Sequence, residues 1–341
     1  MVAISPEETV LVTGASGFIA AHLCQLLLAE GYRVRGTVRT NAKGDYLKNL
    51  FEGKGEFEYV IVEDIAKPGA FEQAVKGVQG IAHTASPFFL NAAKVDDLVK
   101  PAVQGTVGVL QSAQKYGDQV KRVVVTSSVA AIMQPGPGPY TLTEDFWNTE
   151  SPQVLEKEGD AASGPHKYRG SKTLAERAAW EYVKESQPPW DLVVVNPPFA
   201  FGPIIHQVSK PEDINTSVAT FYAFTHGGKT ESDLGTSPGN WADVRDIAQG
   251  HLRALIVPEA SNRRFILSAG PFTSQEIVDE IHTWKPEVPN VPIGKPGNGK
   301  AIASQAVTFS GERASAVLGV TFRSFGECLR DMHESLEKRF P

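Results

Sequence analysis

Short apolar runs alternate with stretches of helical periodicity along the N-terminal part of the chain. The run Thr9-Val10-Leu11-Val12 is apolar and β-branched, and residues 18–29 place apolar side chains at helical spacing. Further predicted strands are 32–38, 59–62, 80–85, 122–126 and 192–195, and further predicted helices are 68–76 and 95–116. Continuous apolar strands separated by helices are typical of a parallel sheet that is covered on both faces. We therefore expect an α/β fold with a doubly wound parallel sheet of the Rossmann type.

This alternation breaks in two places. Residues 135–139 alternate proline and glycine, which fits neither a helix nor a central strand, so we expect a long loop over residues 134–165. After Pro197-Pro198 the predicted elements are helices 214–225, 244–256, 310–318 and 325–337, a strand 265–267 and a surface excursion over residues 288–300. The pattern predicts two domains, with the smaller one mostly helical and C-terminal. They are a Rossmann domain of residues 1–198 and 241–268, and a substrate-binding domain of residues 199–240 and 269–341.

The composition excludes several classes of function. The chain has 341 residues and a formal net charge of −6, and it lacks the basic stripe of a nucleic-acid-binding protein. No run approaches the roughly 18 apolar residues of a membrane-spanning helix, and residues 1–8 lack the pattern of a signal peptide. Neither the two cysteines, Cys24 and Cys328, nor the eight histidines show disulfide or metal-ligand spacing. We therefore expect a cytoplasmic protein that binds no nucleic acid, membrane or metal.

A turn with two glycines joins the first predicted strand to the first predicted helix. Glycine at such a position permits a tight bend and the close approach of a pyrophosphate, and the N-terminus of the following helix favours the anion. The candidate cofactor residues of this turn are Thr13, Gly14, Ser16, Gly17, Phe18 and Ile19. A purely structural turn is the alternative, and the position between strand and helix favours the cofactor.

The residues that follow the second predicted strand indicate which dinucleotide this turn would bind. An NAD site usually places an acidic residue there for the ribose 2′-hydroxyl, but residues 33–43 contain no acid. The strand ends instead at Arg39, and Lys43 follows it. Because a planar guanidinium pairs well with phosphate oxygens, we predict NADP(H), with Arg39 at the 2′-phosphate. For both residues an ordinary solvated side chain is the alternative.

The main candidate for catalysis is the pentad Tyr168-Arg169-Gly170-Ser171-Lys172. On a helix, Tyr168 and Lys172 lie one turn apart on the same face. A phenol has an ordinary pKa of about 10, so it is a poor acid–base catalyst at neutral pH unless a nearby cation favours its phenolate. We expect Lys172 to supply that cation and Tyr168 to protonate the alkoxide that develops when a carbonyl is reduced. A core tyrosine with a solvated lysine is the alternative.

A pair of serines ends a predicted strand upstream of this pentad. Ligands of open α/β sheets bind at the carboxyl ends of the strands, where Ser127 and Ser128 are expected to lie. Ser128 is the candidate for holding the substrate oxygen beside Tyr168, although the pattern does not decide which serine points at the site. Either hydroxyl could instead bond the backbone of a turn.

Taken together, these residues resemble the extended short-chain dehydrogenase/reductase family over nearly the whole chain. The matching positions are 13–20, 64, 126–128, 168–172, 196–198, 202–203 and 241–246. Within that family the chain is similar to the dihydroflavonol-reductase-like branch. Residues 214–217 and 291–297 carry a narrower likeness to fungal NADPH-dependent aldehyde and ketone reductases of the methylglyoxal/isovaleraldehyde type. The resemblance implies an NADPH-dependent carbonyl reductase that converts small aldehydes or ketones into alcohols.

The resemblance also implies roles for individual residues. Ser128 matches the catalytic serine, Tyr168 matches the acid, and Lys172 matches a lysine that also holds the nicotinamide ribose. The implied cofactor contacts outside the glycine turn and these catalytic residues are Arg39, Asp64, Ile65, Ala85, Pro197 and Ser217. The implied substrate pocket is lined by Phe88, Phe89, Ile132, Met133 and Phe199. For these apolar residues, plain core packing is the alternative.

One position departs from the family pattern. Many short-chain dehydrogenases carry an Asn on the helix before the catalytic-serine strand, but residues 93–146 contain no Asn. A proton relay through a side-chain amide is therefore not expected, and water or backbone would have to complete the path.

Two other functions are compatible with the same scaffold. A nucleotide-sugar epimerase or dehydratase would oxidise its substrate transiently and keep its cofactor, whereas Arg39 and the apolar pocket favour exchangeable NADP(H). A non-catalytic NADP-binding regulator would not require Ser128, Tyr168 and Lys172, which are all present. We expect a monomer or a homodimer whose partner is a small-molecule carbonyl substrate.

Overall fold

The computed structural model describes residues 4–86, 92–136, 138–235 and 239–340. The strands are β1 (Thr9–Thr13), β2 (Arg33–Val38), β3 (Phe57–Ile61), β4 (Gly80–His83), β5 (Arg122–Thr126), β6 (Tyr140–Leu142), β7 (Asp191–Asn196), β8 (Phe199–Phe201), β9 (Gly239–Asp243), β10 (Arg264–Ile266), β11 (Gly270–Phe272) and β12 (Val307–Phe309). The α-helices are α1 (Phe18–Ala29), α2 (Asn41–Leu50), α3 (Asp96–Tyr116), α4 (Glu150–Glu158), α5 (Gly164–Ser186), α6 (Thr216–Thr225), α7 (Val244–Ile256), α8 (Ser274–Ile281), α9 (Asn298–Ala303) and α10 (Phe325–Arg339).

Seven strands form the central sheet in the order β3-β2-β1-β4-β5-β7-β10, and every neighbouring pair is parallel. The carboxyl ends of β1, β4, β5 and β7 therefore meet at one edge of the sheet. Thr13, His83, Thr126 and Asn196 are the last residues of these strands. The prediction of a doubly wound parallel sheet is confirmed.

The apolar side chains of β1 show how both faces of this sheet are covered. Val10 and Val12 belong to a core shared with α1 and α7, whereas Leu11 belongs to a core shared with α3. Successive side chains of a strand point to opposite faces, so a continuous apolar run is what a sheet between two helical layers requires. The helices α3 and α5 pack together on one side, and α1 and α7 pack together on the other.

A third apolar core is built from the later part of the chain. It joins β8, α6, α8 and α10, and its largest members include Phe201, Phe221, Trp241 and Trp284. A small sheet in the order β11-β9-β8 borders it, with β9 antiparallel to β11 and parallel to β8. The exact division into a Rossmann domain and a substrate-binding domain stays a prediction.

Two expected segments differ in the structure. Residues 68–76 form consecutive turns rather than a helix, and Gly69, near their start, takes a φ of 76° that is incompatible with a right-handed helix. The expected loop 134–165 contains β6 and the helix α4, and α5 already begins at Gly164. The segment therefore brings ordered elements next to the site.

The sequence pattern also missed or misplaced several helices. The helices α2, α8 and α9 were not expected. Within the predicted helix 310–318, residues 312–318 are helical, and Ala314–Leu318 form a π-helix. Among the residues that the structure describes, no helix is long and apolar enough to cross a membrane.

Candidate active site

The turn between β1 and α1 lies against the segment that follows β4. Gly14 takes a φ of 65°, and a Cβ atom added to it would lie 3.1 Å from both the Cα and the Cβ of Ala85. The Gly14 amide donates to Thr37 Oγ1 at 3.0 Å, and the Ala15 amide donates to the Thr37 carbonyl at 2.9 Å. The bend thus requires glycine for both its dihedral angle and its packing.

The first turn of α1 is well suited to an anion. Gly17 is its N-cap, and no side chain caps the helix or places an acid in its first turn. Phe18 is buried, whereas Ser16 and Ile19 are partly exposed. Amide groups at a helix N-terminus that lack a side-chain acceptor can bind a phosphate. The residues present therefore fit the pyrophosphate of a dinucleotide.

Thr13 connects the ends of β1 and β4. Its hydroxyl accepts a hydrogen bond from the Ala85 amide at 3.1 Å and pairs with His83 Nδ1 at 2.9 Å. Thr84 donates to the Thr13 carbonyl. Thr13 is fully buried, so these bonds hold the glycine turn and the segment after β4 in fixed positions relative to each other.

Two cations stand beside the carboxyl end of β2. Arg39 is exposed and Lys43 lies on α2, and within the described residues neither forms an ion pair with a carboxylate. Burial lowers the pKa of Lys43, as does the neighbouring charge of Arg39, whereas Asp213 raises it. A phosphate dianion placed between two such cations would relieve their repulsion, so this corner fits the 2′-phosphate of NADP.

Asp64 and Ile65 follow β3. The Asp64 carboxylate is exposed and accepts a hydrogen bond from the Ala66 amide at 2.9 Å. Ile65 packs against α3, where a Cβ on Gly105 would approach Ile65 Cδ1 to 2.9 Å. Both residues lie beyond the carboxyl end of the sheet, on the side where the cofactor turn also lies.

The two residues predicted for catalysis lie beside each other. Ser128 follows β5, Tyr168 lies in the first turns of α5, and the Ser128 hydroxyl is close enough to the Tyr168 phenol to lower its pKa. Ser128 Oγ also accepts from the Ala130 amide at 3.1 Å and lies 3.4 Å from the Pro197 carbonyl. The neighbouring Ser127 is buried, and its Oγ has no hydrogen-bond partner among the described residues. The structure therefore pairs Ser128, and not Ser127, with Tyr168.

Burial controls the titration of Tyr168. It raises the pKa of the phenol above its ordinary value, and the neighbouring Ser128 hydroxyl only partly offsets this effect. The expected lowering of this pKa by Lys172 is therefore not found in this structure. A raised pKa keeps the phenol protonated at neutral pH, which is the form that a proton donor needs.

Lys172 lies one turn after Tyr168 on α5 and is almost fully buried. Burial lowers its pKa to about 8, and the Glu176 carboxylate one further turn along the helix opposes that shift. His83 faces the same ammonium, and burial together with the Lys172 charge lowers the pKa of His83 to about 3. His83 is therefore neutral at physiological pH, and Glu176 is the acidic group that favours the charged form of Lys172.

Pro197 and Ser217 occupy the ends of the segment that leaves the sheet after β7. The Pro197 carbonyl accepts from the Val129 amide at 3.1 Å, which places it beside Ser128. Ser217, in the first turn of α6, donates to the Ala200 carbonyl at 2.5 Å and accepts from Asn215 Nδ2 at 2.9 Å. The Ser217 hydroxyl is thus engaged within the protein.

The residues predicted for the substrate pocket divide into three groups. Phe199 is 48% exposed and packs edge-on against Phe272, with ring centroids 6.1 Å apart. Ile132 is fully buried in a small core, and Met133 packs against that core from a partly exposed position. For Ile132 this placement is typical of the core alternative. Phe88 and Phe89 lie outside the described residues.

Three buried polar residues that lie behind the site were given no role from the sequence. They are Glu176, Asn196 and Arg264, and each is at most 8% exposed. Asn196 falls within the family match at 196–198, and the spacing of Glu176, one helical turn after Lys172, is a signal that could have indicated it in advance. Among the described residues, no group of three or more His, Cys, Asp or Glu side chains could hold a metal ion.

Comparison with known proteins places this geometry in a family. The family model described as NAD dependent epimerase/dehydratase family matches residues 10–268. The NADPH-dependent methylglyoxal reductase GRE2 of Saccharomyces cerevisiae is 34% identical over 342 residues, which cover 97% of this chain and 98% of that protein. The ketoreductase azaE of Aspergillus niger is 36% identical over 347 residues, which cover 97% of this chain and 98% of that protein.

The fold of a solved relative matches over the same length. The crystal structure of Gre2 in complex with NADPH from Candida albicans has a TM-score of 0.88 and 35% sequence identity, and it covers 98% of this chain and 100% of that chain. The family that the motifs predict is thereby confirmed. The chain belongs to the NAD dependent epimerase/dehydratase family, among the extended short-chain dehydrogenases/reductases.

Proposed function

We propose that this protein is an NADPH-dependent carbonyl reductase in which Tyr168 is the general acid. The observation that carries this proposal is that Ser128 and Tyr168 lie side by side at the carboxyl edge of the parallel sheet, where the Ser128 hydroxyl acts on the pKa of the phenol. Lys172 lies one helical turn from the phenol, and the glycine turn after β1 opens at the same edge. Ligands of open parallel sheets bind at that edge.

The residues of the chain have distinct tasks in this reaction. NADPH, when bound, supplies the hydride that attacks the carbonyl carbon. Ser128 donates a hydrogen bond to the carbonyl oxygen and holds it beside Tyr168. Tyr168 transfers its proton to the oxygen as negative charge develops there. The ammonium of Lys172 then stabilises the phenolate until solvent returns the proton.

The cofactor residues favour NADPH over NADH. Arg39 and Lys43 would bind the 2′-phosphate, and residues 33–43 offer no carboxylate to a ribose 2′-hydroxyl. Gly14, Gly17 and the first turn of α1 would bind the pyrophosphate. The yeast relative is itself named as NADPH-dependent, and the Candida relative was solved with NADPH.

The substrates we propose are small aldehydes and ketones. The exposed ring of Phe199, two residues after Pro197, offers an apolar surface, and the names of the relatives specify methylglyoxal and ketone substrates. The substrate-binding domain of residues 199–240 and 269–341 would supply the rest of the pocket. We also propose a cytoplasmic location and a monomeric or homodimeric state.

Consumption of NADPH across a panel of aldehydes, ketones and diketones tests the function. We expect multiple turnovers with exchange of free cofactor, and chiral analysis of the alcohols gives the face of attack. A preparation that retains its cofactor and converts only nucleotide sugars would support the epimerase or dehydratase alternative. NADPH binding without turnover of any carbonyl would support a regulator.

A further inference from the structure

A chain of buried polar groups connects the edge strand β10 to the catalytic serine. Asn196 Nδ2 donates to the Ser128 carbonyl at 3.1 Å and to Glu176 Oε2 at 2.9 Å. The other carboxylate oxygen, Glu176 Oε1, accepts from Arg264 Nε at 2.5 Å. Asn196 and Glu176 are at most 1% exposed. The groups therefore have no solvent to replace these bonds, and each position depends on the next.

Arg264 is itself fixed at the start of β10. Its guanidinium lies 3.9 Å above the ring of Trp147, and its Nη1 donates to the carbonyls of Glu144 at 2.6 Å and Phe146 at 2.8 Å. Stacking and several directed bonds hold a planar guanidinium in one orientation. The carboxylate of Glu176 is thus anchored on one side by a rigid cation and can act as a fixed point for Asn196 on the other.

Glu176 also faces the catalytic lysine along α5. Lys172 and Glu176 are four residues apart and therefore lie on the same side of the helix. The titratable groups around the Lys172 ammonium are Tyr168 and Glu176 from α5 and His83 from β4. Of these, Glu176 is the acidic side chain whose charge raises the pKa of Lys172.

We propose that Glu176 is a positioning residue of the reductase site, which holds Ser128 in place through Asn196 and keeps Lys172 protonated through its negative charge. This inference rests on the proposed function for its kinetic consequences. For its effect on the ammonium it rests on the spacing of four residues that puts Glu176 and Lys172 on one face of α5. One carboxylate thereby acts on both residues that assist Tyr168, namely Ser128 and Lys172. It offers a physical reason why a buried charge lies behind this site.

The substitution Glu176→Gln tests both effects while keeping the shape of the side chain. The new amide would offer Arg264 one oxygen but would present an NH₂ group to Asn196 Nδ2. Asn196 would then either lose its acceptor or flip and place its oxygen against the Ser128 carbonyl. The charge beside Lys172 disappears in either case, so the lysine pKa should fall.

A matched control exists on β5, which precedes Ser128, and on β7, which ends at Asn196. Arg122 and Asp191 form a buried bidentate pair between β5 and β7, with N–O distances of 2.7 and 2.8 Å, at the opposite edge of the sheet. Asp191→Asn therefore breaks a buried ion pair of similar kind without contacting the site. Loss of stability alone should affect both variants alike.

The first readout is the titration of Lys172 by NMR with side-chain-labelled lysine, with the signal assigned through Lys172→Arg. We expect Glu176→Gln to lower the Lys172 pKa by about one pH unit and Asp191→Asn to leave it unchanged. This readout requires no turnover, so it remains decisive even if the wild-type protein reduces no carbonyl and the proposed function fails. Equal Lys172 pKa values in the wild type and Glu176→Gln would overturn the electrostatic role.

The second readout is kinetic and uses Asn196→Ala, which removes the link to Ser128 but leaves Glu176 paired with Arg264. We expect kcat to fall by about tenfold or more in Asn196→Ala, with the Lys172 pKa retained, since small displacements of catalytic groups are costly. If Glu176→Gln does not fold, this variant still tests the positioning role. A wild-type kcat in Asn196→Ala, or a loss no greater than that in Asp191→Asn, would overturn it.

Discussion

Gly14 lies against Ala85 at the ends of β1 and β4, and a side chain on Gly14 would have to displace Ala85 by a few tenths of an ångström. An added Cβ would come within 3.1 Å of two Ala85 atoms, and the φ of 65° is one that L side chains rarely adopt. The contact brings the glycine turn and the segment after β4 together on the side where the cofactor is expected. The shape of the cradle therefore depends on this one position.

Gly14→Ala should weaken NADPH binding by more than it weakens the fold. The left-handed dihedral angle alone costs about 1–2 kcal/mol, and the contact with Ala85 would also move the turn. Gly53→Ala is a suitable control, because Gly53 has a φ of 72° and no atom within 4 Å of an added Cβ. Calorimetry with NADPH and thermal unfolding of both variants would separate the two effects. NADPH affinities that are equal in the two variants would contradict a cofactor role for the turn.

Tyr168→Phe should abolish most of the turnover while NADPH still binds. Loss of a general acid typically costs about 10²- to 10⁴-fold in rate. Tyr182→Phe is the control, since Tyr182 lies on the same helix and its hydroxyl bonds Gln114. Single-turnover reduction and fluorescence titration with NADPH would measure the two properties. Undiminished reduction by Tyr168→Phe would remove the phenol from the mechanism.

Much of the fold follows from the pattern of apolar residues. The predicted bounds of α1, β5 and α7 agree with the structure. The two helices bury a periodic apolar face against the central sheet, and β5 is a continuous apolar run within that sheet. The helix α2 was missed because only Gly44 and Leu47 are buried, so no apolar period is present. The helix α8 begins with a capping box between Thr273 and Glu276, which is a polar signal and not part of the apolar periodicity.

The candidate site was predictable only where spacing along the chain encodes it. Tyr168 and Lys172 lie one helical turn apart on α5, so their spacing along the chain predicts that they are close. The link from Arg264 through Glu176 and Asn196 to Ser128 joins four separate segments. Its contacts depend on strand order and on packing between layers, which no local pattern specifies. The raised pKa of Tyr168 has the same origin, because burial arises only in the folded protein.

Arg39→Ala should reduce the preference for NADPH over NADH. A charge-assisted hydrogen bond to a phosphate contributes about 2 kcal/mol, so we expect roughly a 30-fold loss in NADPH affinity and little change for NADH. Arg33→Ala is the control, because Arg33 lies at the other end of β2 in an exposed pair with Glu56. Dissociation constants for both cofactors would measure the preference. Equal losses for NADPH and NADH would argue against a 2′-phosphate contact.

The rate of reduction should decline as the pH rises through about 8. The Lys172 pKa lies near this value because burial lowers it, so the ammonium is present below pH 8 and is lost above it. Loss of the cation removes the charge that stabilises the Tyr168 phenolate after proton transfer, and kcat/KM for NADPH reports this group in the free enzyme. Lys172→Arg keeps a positive charge at all accessible pH values. Whatever activity this variant retains should therefore show no decline near pH 8, and a decline identical to that of the wild type would assign the titration to a different group.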